Sequence, residues 1–121
     1  MTTTLERKVR QRNSSCCDGL AQPQLSLEEL QQFIDDLQIL AHPIRMQILD
    51  MLGQSRDAVC VCDLEAALPF KQPTVSHHLR LLREAGLIDC ERQGLWAYYF
   101  VQREALAALR ARIAGQLEAL G

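Results

Sequence analysis

A mainly α-helical fold carrying one β-hairpin is predicted by three features of the sequence. Apolar residues recur at three- and four-residue spacing through most of the chain. Two short helical segments near its middle are separated by only a few residues. Directly after them the period switches to two, around a Gln-Gly pair. Two short helices joined by a tight turn make a helix-turn-helix, and a hairpin directly behind one is a wing. The expected architecture is a winged helix-turn-helix.

The elements follow in order. Residues 1–24 have no sustained apolar period and contain Thr, Arg, Asn and Ser clusters, then Gly19 and Pro23; they read as a flexible arm ahead of a domain at 25–121. Ser26 with Glu29 forms a capping box. Behind it Leu27, Leu30, Phe33, Ile34, Leu37 and Leu40 fall on one helical face. A second helix opens at His42-Pro43, with Pro43 in its favoured first turn, runs through Ile44, Ile48, Leu49 and Leu52, and stops at Gly53. Asp63 is the expected cap of a short helix, Leu64 to Leu68, which Pro69 ends. Pro73 starts the next helix, with Val75, Leu79, Leu82 and Ala85 inward and Gly86 as its stop. Leu87 to Arg92 and Leu95 to Val101 read as strands joined by a tight turn at Gln93-Gly94. Arg103 to Leu120 is helical, with Leu106, Leu109, Ile113, Leu117 and Leu120 in one stripe.

Both terminal helices carry a full apolar face. A core of this size cannot cover them all, and pairing two chains would; a homodimer is expected. With 121 residues the chain is about one domain. It has no apolar run of membrane-spanning length, and Met1 to Arg12 lack the apolar stretch of a secretory signal. A cytoplasmic protein with no membrane partner is expected. The net charge of −2 argues mildly against a nucleic-acid partner. The charges are segregated, however: Glu28, Glu29, Asp35 and Asp36 lie early, while Lys71, Arg80, Arg83 and Arg92 lie late, so a basic face can coexist with an acidic total.

The helix from Pro73 carries Gln72, Thr74, Ser76, His77, His78 and Arg80 on its first turns. Hydroxyls and an amide at a helix start suit phosphate contact and base-edge readout in double-stranded DNA. Arg92 and Gln93 would lie near the tip of the hairpin. The two histidines read as a solvated pair; neighbours on a helix diverge by about 100° and rarely ligate one ion together. Trp96, Tyr98 and Tyr99 read mostly as strand packing. A phosphate-binding glycine loop and a nucleophile with its base are both missing from the sequence, so an enzyme is not expected.

The strings LAHPIRMQILDML, VCVCDLEAAL, KQPTVSHHLRLLREAGLI and ERQGLWAYYFV resemble the ArsR/SmtB family of metal-sensing repressors over residues 37 to 101. The resemblance implies a winged-helix homodimer bound to operator DNA ahead of a resistance operon and released by its inducer. By position it assigns Gln72, Thr74, Ser76, His77 and Arg80 to the DNA-reading helix and Arg92 to Leu95 to the wing.

Cysteine is the second theme. Two close pairs, Cys16-Cys17 and Cys60-Val61-Cys62, stand beside a single Cys90, which reads as structural. Thiolates are soft donors that suit As(III), Sb(III), Cd(II), Pb(II) and Zn(II), not Mg(II) or Ca(II). A helix N-terminus beside Cys62 would favour its thiolate. Cys60 and Cys62 project together if the segment enters the helix extended; if the helix starts earlier they diverge by about 200°. The string CVCDL matches the thiolate-sensing version of the family, but a third cysteine known from arsenic sensors is replaced by Glu65. The resemblance makes Cys16 and Cys17 the remaining donors, on an arm able to reach up to ~30 Å, across a dimer. The resulting expectation is an arsenic-resistance repressor induced by As(III) or Sb(III), with Cd(II), Pb(II) or Zn(II), or thiol oxidation, as alternatives. The family's other zinc site, on the last helix, is expected to be absent, since residues 103 to 120 hold no His and only Glu104 and Glu118 as acids.

Overall fold

A computed structural model describes Arg7 and residues 21–121. The arm, with Cys16 and Cys17, lies almost wholly outside the described residues. Five helices and a three-stranded sheet follow in the order α1 (Leu27–Leu40), α2 (Pro43–Gln54), β1 (Val59–Cys60), α3 (Val61–Ala67), α4 (Gln72–Glu84), β2 (Ile88–Gln93), β3 (Trp96–Val101) and α5 (Arg103–Ala119).

Local chemistry sets most boundaries. The Ser26 Oγ accepts from the Glu29 N–H, and the Glu29 carboxylate accepts from the Ser26 N–H, both at 3.1 Å. His42 caps α2: its Nδ1 accepts from the Ile44 N–H at 3.2 Å. Gly86, at φ +79°, closes α4. Its N–H reaches the Arg83 carbonyl and the Leu87 N–H reaches back to that of Leu82, the paired bonds of a Schellman motif. Leu87 is buried there, so the helix end is sealed by a hydrophobic contact as well.

Several expected boundaries move by a residue or more, among them the start of α4, at Gln72 rather than Pro73, and the strands, at 88–93 and 96–101. The second helix does not stop at Gly53 but carries on to Gln54. α3 starts at Val61, two residues before Asp63, because Cys60 supplies the extended N-cap (φ −61°, ψ 138°); Asp63 lies inside the first turn. The hairpin turn falls on Gly94-Leu95 rather than Gln93-Gly94, since Gln93 still pairs with Trp96. Gly94 is at φ +65°, the first-position glycine of a type II′ turn.

One core joins the middle of the chain. Ile48 and Leu52 from α2, Leu64 from α3, Val75, Leu79 and Leu82 from α4, Ile88 from β2 and Leu109 from α5 are almost wholly excluded from water. The sheet runs β1-β3-β2, antiparallel throughout, with Cys60 opposite Tyr98 and Cys90 opposite Tyr99.

The terminal helices pack together but keep much apolar surface outward. On α1 only Phe33 and Asp36 are buried, while Leu27, Leu30, Ile34 and Leu37 stay exposed. On α5 only Leu109 is buried. An open apolar hollow of about 320 Å³ runs between Leu40, Leu106, Ile113 and Leu117. Asp36 accepts from both Nε and Nη2 of Arg112 at 3.1 Å, tying α1 to α5. The guanidinium of Arg112 holds the Asp36 carboxyl below the usual range against the opposing effect of burial. Among the described residues, no helix is long and apolar enough to cross a membrane.

Candidate nucleic-acid interface and thiol site

Helix α4 divides cleanly. Val75, His78, Leu79 and Leu82 face the core, while Gln72, Thr74, Ser76, His77 and Arg80 are all exposed. The five candidates therefore share the outer surface of the second helix of the helix-turn-helix. Arg80 reaches His77, Nη2 to Nδ1 at 3.0 Å, and lies 4.0 Å from the Glu84 carboxylate. Both partners of the latter pair are largely in water, so it is worth little and leaves the guanidinium free to move.

The wing stands beside this surface. Arg83 of α4 and Asp89 of β2 approach to 3.3 Å, fixing hairpin against helix. A shallow hollow between them is bordered by Ser76, Arg80, Arg83 and Tyr99. Arg92 is exposed near the tip, paired across the sheet with Ala97. Tyr98 and Tyr99 are half-buried, as strand packing predicts, but Trp96 is 52% exposed and lies at the tip with Leu95.

The thiol pair sits at the other end of the motif. Cys60 is buried and Cys62 exposed, yet their sulfurs are 2.8 Å apart, with Cys62 donating to Cys60. The early helix start was expected to separate them. It does not, because Cys60 keeps extended backbone as the N-cap and only Cys62 is in the helix. The contact also reverses the expected ionisation. The bond to Cys60, then burial, pushes the Cys62 thiol up, and the nearby Asp63 charge adds to this. Two sulfurs sharing one tetrahedral ion at ~2.3 Å stand roughly 3.8 Å apart. The exposed Cys62 side chain can open by that difference, so the pair fits a soft ion as two of its donors. Among the described residues no group of three or more His, Cys, Asp or Glu is gathered to hold a metal.

Residues 42–89 match the model of the bacterial regulatory protein, arsR family. A transcriptional repressor SmtB homolog of Synechocystis is 35% identical over 94 residues, covering 78% of this chain and 70% of that one. This chain belongs to the ArsR/SmtB family. The arsenical resistance operon repressor of Escherichia coli is 46% identical over 61 residues, about half of either chain. A crystal structure of a possible transcriptional regulator for arsenical resistance superposes with a TM-score of 0.60 at 32% identity, covering 71% of this chain and 92% of that one.

As an ArsR/SmtB repressor the chain is a winged helix-turn-helix transcriptional regulator and not an enzyme. Helices α3 and α4 form the helix-turn-helix and β2-β3 the wing. One feature of this ArsR/SmtB fold escaped the sequence reading. His78 is not a solvated partner of His77: it is only 7% exposed. Its ring lies 4.1 Å from that of His42, and its Nδ1 is 3.3 Å from Nη1 of Arg45. The signal was present, since His78 falls three residues after Val75 and four before Leu82, on the buried stripe.

Proposed function

We propose that this repressor acts in the cytoplasm as a homodimer on operator DNA ahead of a resistance operon, and that As(III) or Sb(III), held by cysteine thiolates, releases it. Gln72, Thr74, Ser76, His77 and Arg80 are the operator-contacting residues of α4, and Arg92 is that of the wing. The common exposure of the first five on α4, with Arg92 exposed near the tip of the wing, supports this. The outward Leu30, Ile34 and Leu37 of α1 and Leu117 of α5 support the pairing of two copies through the terminal helices.

The observation that carries the inducer reading is the contact of Cys60 and Cys62 at the mouth of α3. Neutral As(OH)₃ exchanges three hydroxyls for three thiols, forming three As–S bonds and releasing three waters. Two of the thiols are at hand and Glu65 occupies the local third place. Cys16 or Cys17, from the arm ahead of the domain at 25–121, completes the set in this reading. Loading α3 at its N-terminus bears on the first helix of the helix-turn-helix, whose Leu64 shares a core with Val75 and Leu79 of α4. The names of the arsenical resistance repressor of Escherichia coli and the SmtB homolog of Synechocystis agree with metal(loid) sensing.

A second reading rests on the same 2.8 Å contact. An oxidant could join the two sulfurs as a disulfide, making the switch a redox one. Cd(II), Pb(II) or Zn(II), using all four paired cysteines, is the other alternative. One experiment separates them. A fluorescent duplex selected by the protein from a random pool is bound, and release is titrated with As(III), Sb(III), Cd(II), Pb(II) and Zn(II) under excess phosphine reductant. Arsenite or antimonite release is expected, and it is lost in Cys60→Ser, Cys62→Ser and a chain lacking residues 1–20, all of which still bind the duplex. Full response without residues 1–20 refutes the ligand set. Release by oxidant alone refutes metalloid sensing.

A further inference from the structure

The buried histidine of the DNA-reading helix is held by a network that no part of the thiol switch uses. Arg45 is its hub. Nε of Arg45 donates to the Ile39 carbonyl at 2.8 Å, Nη2 to the Gln38 carbonyl at 2.9 Å, and Nη1 lies 3.3 Å from Nδ1 of His78. One guanidinium thus clasps the last turn of α1 and the middle of α4 together. A guanidinium only donates. Nδ1 of His78 must therefore be the acceptor, and the ring must be neutral with its proton on Nε2.

The surroundings enforce that state. Among the described residues the charged or titratable groups facing His78 are His42, the cap of α2, Arg45 of α2 and His77 of α4, and none of them is a carboxylate. Burial, then His42, Arg45 and His77, disfavour its protonated form. A proton on Nδ1 would turn an acceptor toward a donor, cancel the bond and set two cations side by side. His42, stacked on His78 at 4.1 Å, also holds the first turn of α2. Any movement of the His78 ring is therefore felt at the start of α2 and the end of α1 as well as in α4. His77, the preceding residue, lies on the outer surface with its ring edge-to-face with that of His78, centroids 5.2 Å apart, and 3.0 Å from Arg80.

We propose that neutral His78 is a positioning residue for operator binding: by accepting from Arg45 it ties the DNA-reading helix to the end of α1, and on taking up a proton it lets both go. This rests on α4 being the operator-contacting helix. It gives the repressor an acid-sensitive hold on DNA that is independent of its cysteines.

The test uses the full chain in a His77→Gln background, which takes the neighbouring imidazole off the DNA-facing surface; each comparison is made within that background. Affinity for the selected duplex and for a random-sequence duplex of equal length is measured by anisotropy from pH 7.5 to 5, at fixed ionic strength. The ratio of the two is expected to fall at least tenfold. His78→Asn keeps an acceptor near the place of Nδ1 but cannot titrate, and should hold the ratio within about threefold. His42→Asn retains a helix cap and should leave the fall in place. Imidazole ¹⁵N spectra of the His77→Gln protein provide a readout that does not depend on a His78 variant folding. The Nδ1 of His78 should be unprotonated at pH 7.5 and gain its proton at the midpoint of the affinity change. A flat ratio, a fall that survives His78→Asn, a fall abolished by His42→Asn, or a ¹⁵N midpoint away from the affinity midpoint each overturns the proposal. Failure of α4 as the reading helix shows separately, as selected-duplex binding at pH 7.5 that is indifferent to Arg80→Ala.

Discussion

The strap between the terminal helices is uneven, and the unevenness is measurable. Asp36 is buried, with 5% of its side chain exposed, whereas Arg112 is 48% exposed. In Arg112→Met the carboxylate is left inside the α1-α5 seam with only Gln32, at 3.1 Å, as a partner. Stranding one member of a fully buried pair costs about 3–5 kcal/mol. Water already reaches the outer side of this pair, so about 2–3 kcal/mol is expected here. In Asp36→Leu the guanidinium simply turns outward, and the new leucine gains apolar contact, so the loss should be about 1 kcal/mol or less. The double variant removes both charges and should return to within about 1 kcal/mol of the parent. Urea unfolding followed by circular dichroism, at one fixed protein concentration, reads all four corners of the cycle. For a domain of this size the Arg112→Met loss corresponds to roughly 8–15 °C in Tm. The pH dependence has a definite sign. Arg112 depresses the Asp36 carboxyl below its ordinary 3.8. The contribution is therefore whole above about that pH and is lost as pH falls through the folded-state value; Arg112→Met should lack this acid-labile part. Equal losses in the two single variants, or losses that add in the double, would refute this account.

Further outcomes follow from the site. Arg80→Ala should weaken selected-duplex binding by about 1–3 kcal/mol while leaving the helix content intact, because its side chain is in water and supports no core contact. Capture of Cd(II) displaces protons from thiols, most of all from Cys62 with its raised pKa, and should tighten as pH rises from 6.5 to 8.5. Arsenite exchange releases water and no net proton, so its release curve should stay nearly flat; parallel slopes would argue against three-thiol exchange. Gly94→Ala meets no neighbouring atom but is strained at φ +65°, so about 1 kcal/mol of stability should be lost, with amide exchange rising first in the wing.

Much of the fold was legible because its boundaries are made by single residues with strong backbone preferences. Ser26 with Glu29, Pro43 and Gly86 each act through their own covalent chemistry, and each stands where the pattern put it, while Pro73 lies in the first turn of α4, one residue inside its start. The misplaced boundaries belong to residues that act through context. Cys60 is an N-cap with no side-chain hydrogen bond, so nothing in its type announces the role, and Asp63 offered a more conventional cap nearby. Strand β1 is two residues long and has no period to read; it exists because β3 presents a free edge beside it. In the site, the Cys-Val-Cys spacing singled out the two thiols, but whether the sulfurs meet depended on one backbone conformation at residue 60. His78 was misread through its neighbour. Adjacency to His77 suggested a surface pair, while its register with Val75 and Leu82 placed it inside.

The strand order β1-β3-β2 bears on how the chain stays unaggregated. Trp96–Val101 reads WAYYFV: six residues with no charge, no proline and no glycine, four of them aromatic. Such a segment on an open edge recruits copies of itself. Here it is the central strand. β2, bearing Asp89, Glu91 and Arg92, takes one side, and Val59 and Cys60 take part of the other. On the β2 side the edge shown to other molecules is thus the charged one. The two residues of β1 arrive from far earlier in the chain, from the loop that leads into α3. Until that loop docks, the aromatic strand is shielded on one side only. Substitutions that loosen residues 55–60 should then reveal themselves first as aggregates during refolding, before any change in the folded repressor is seen.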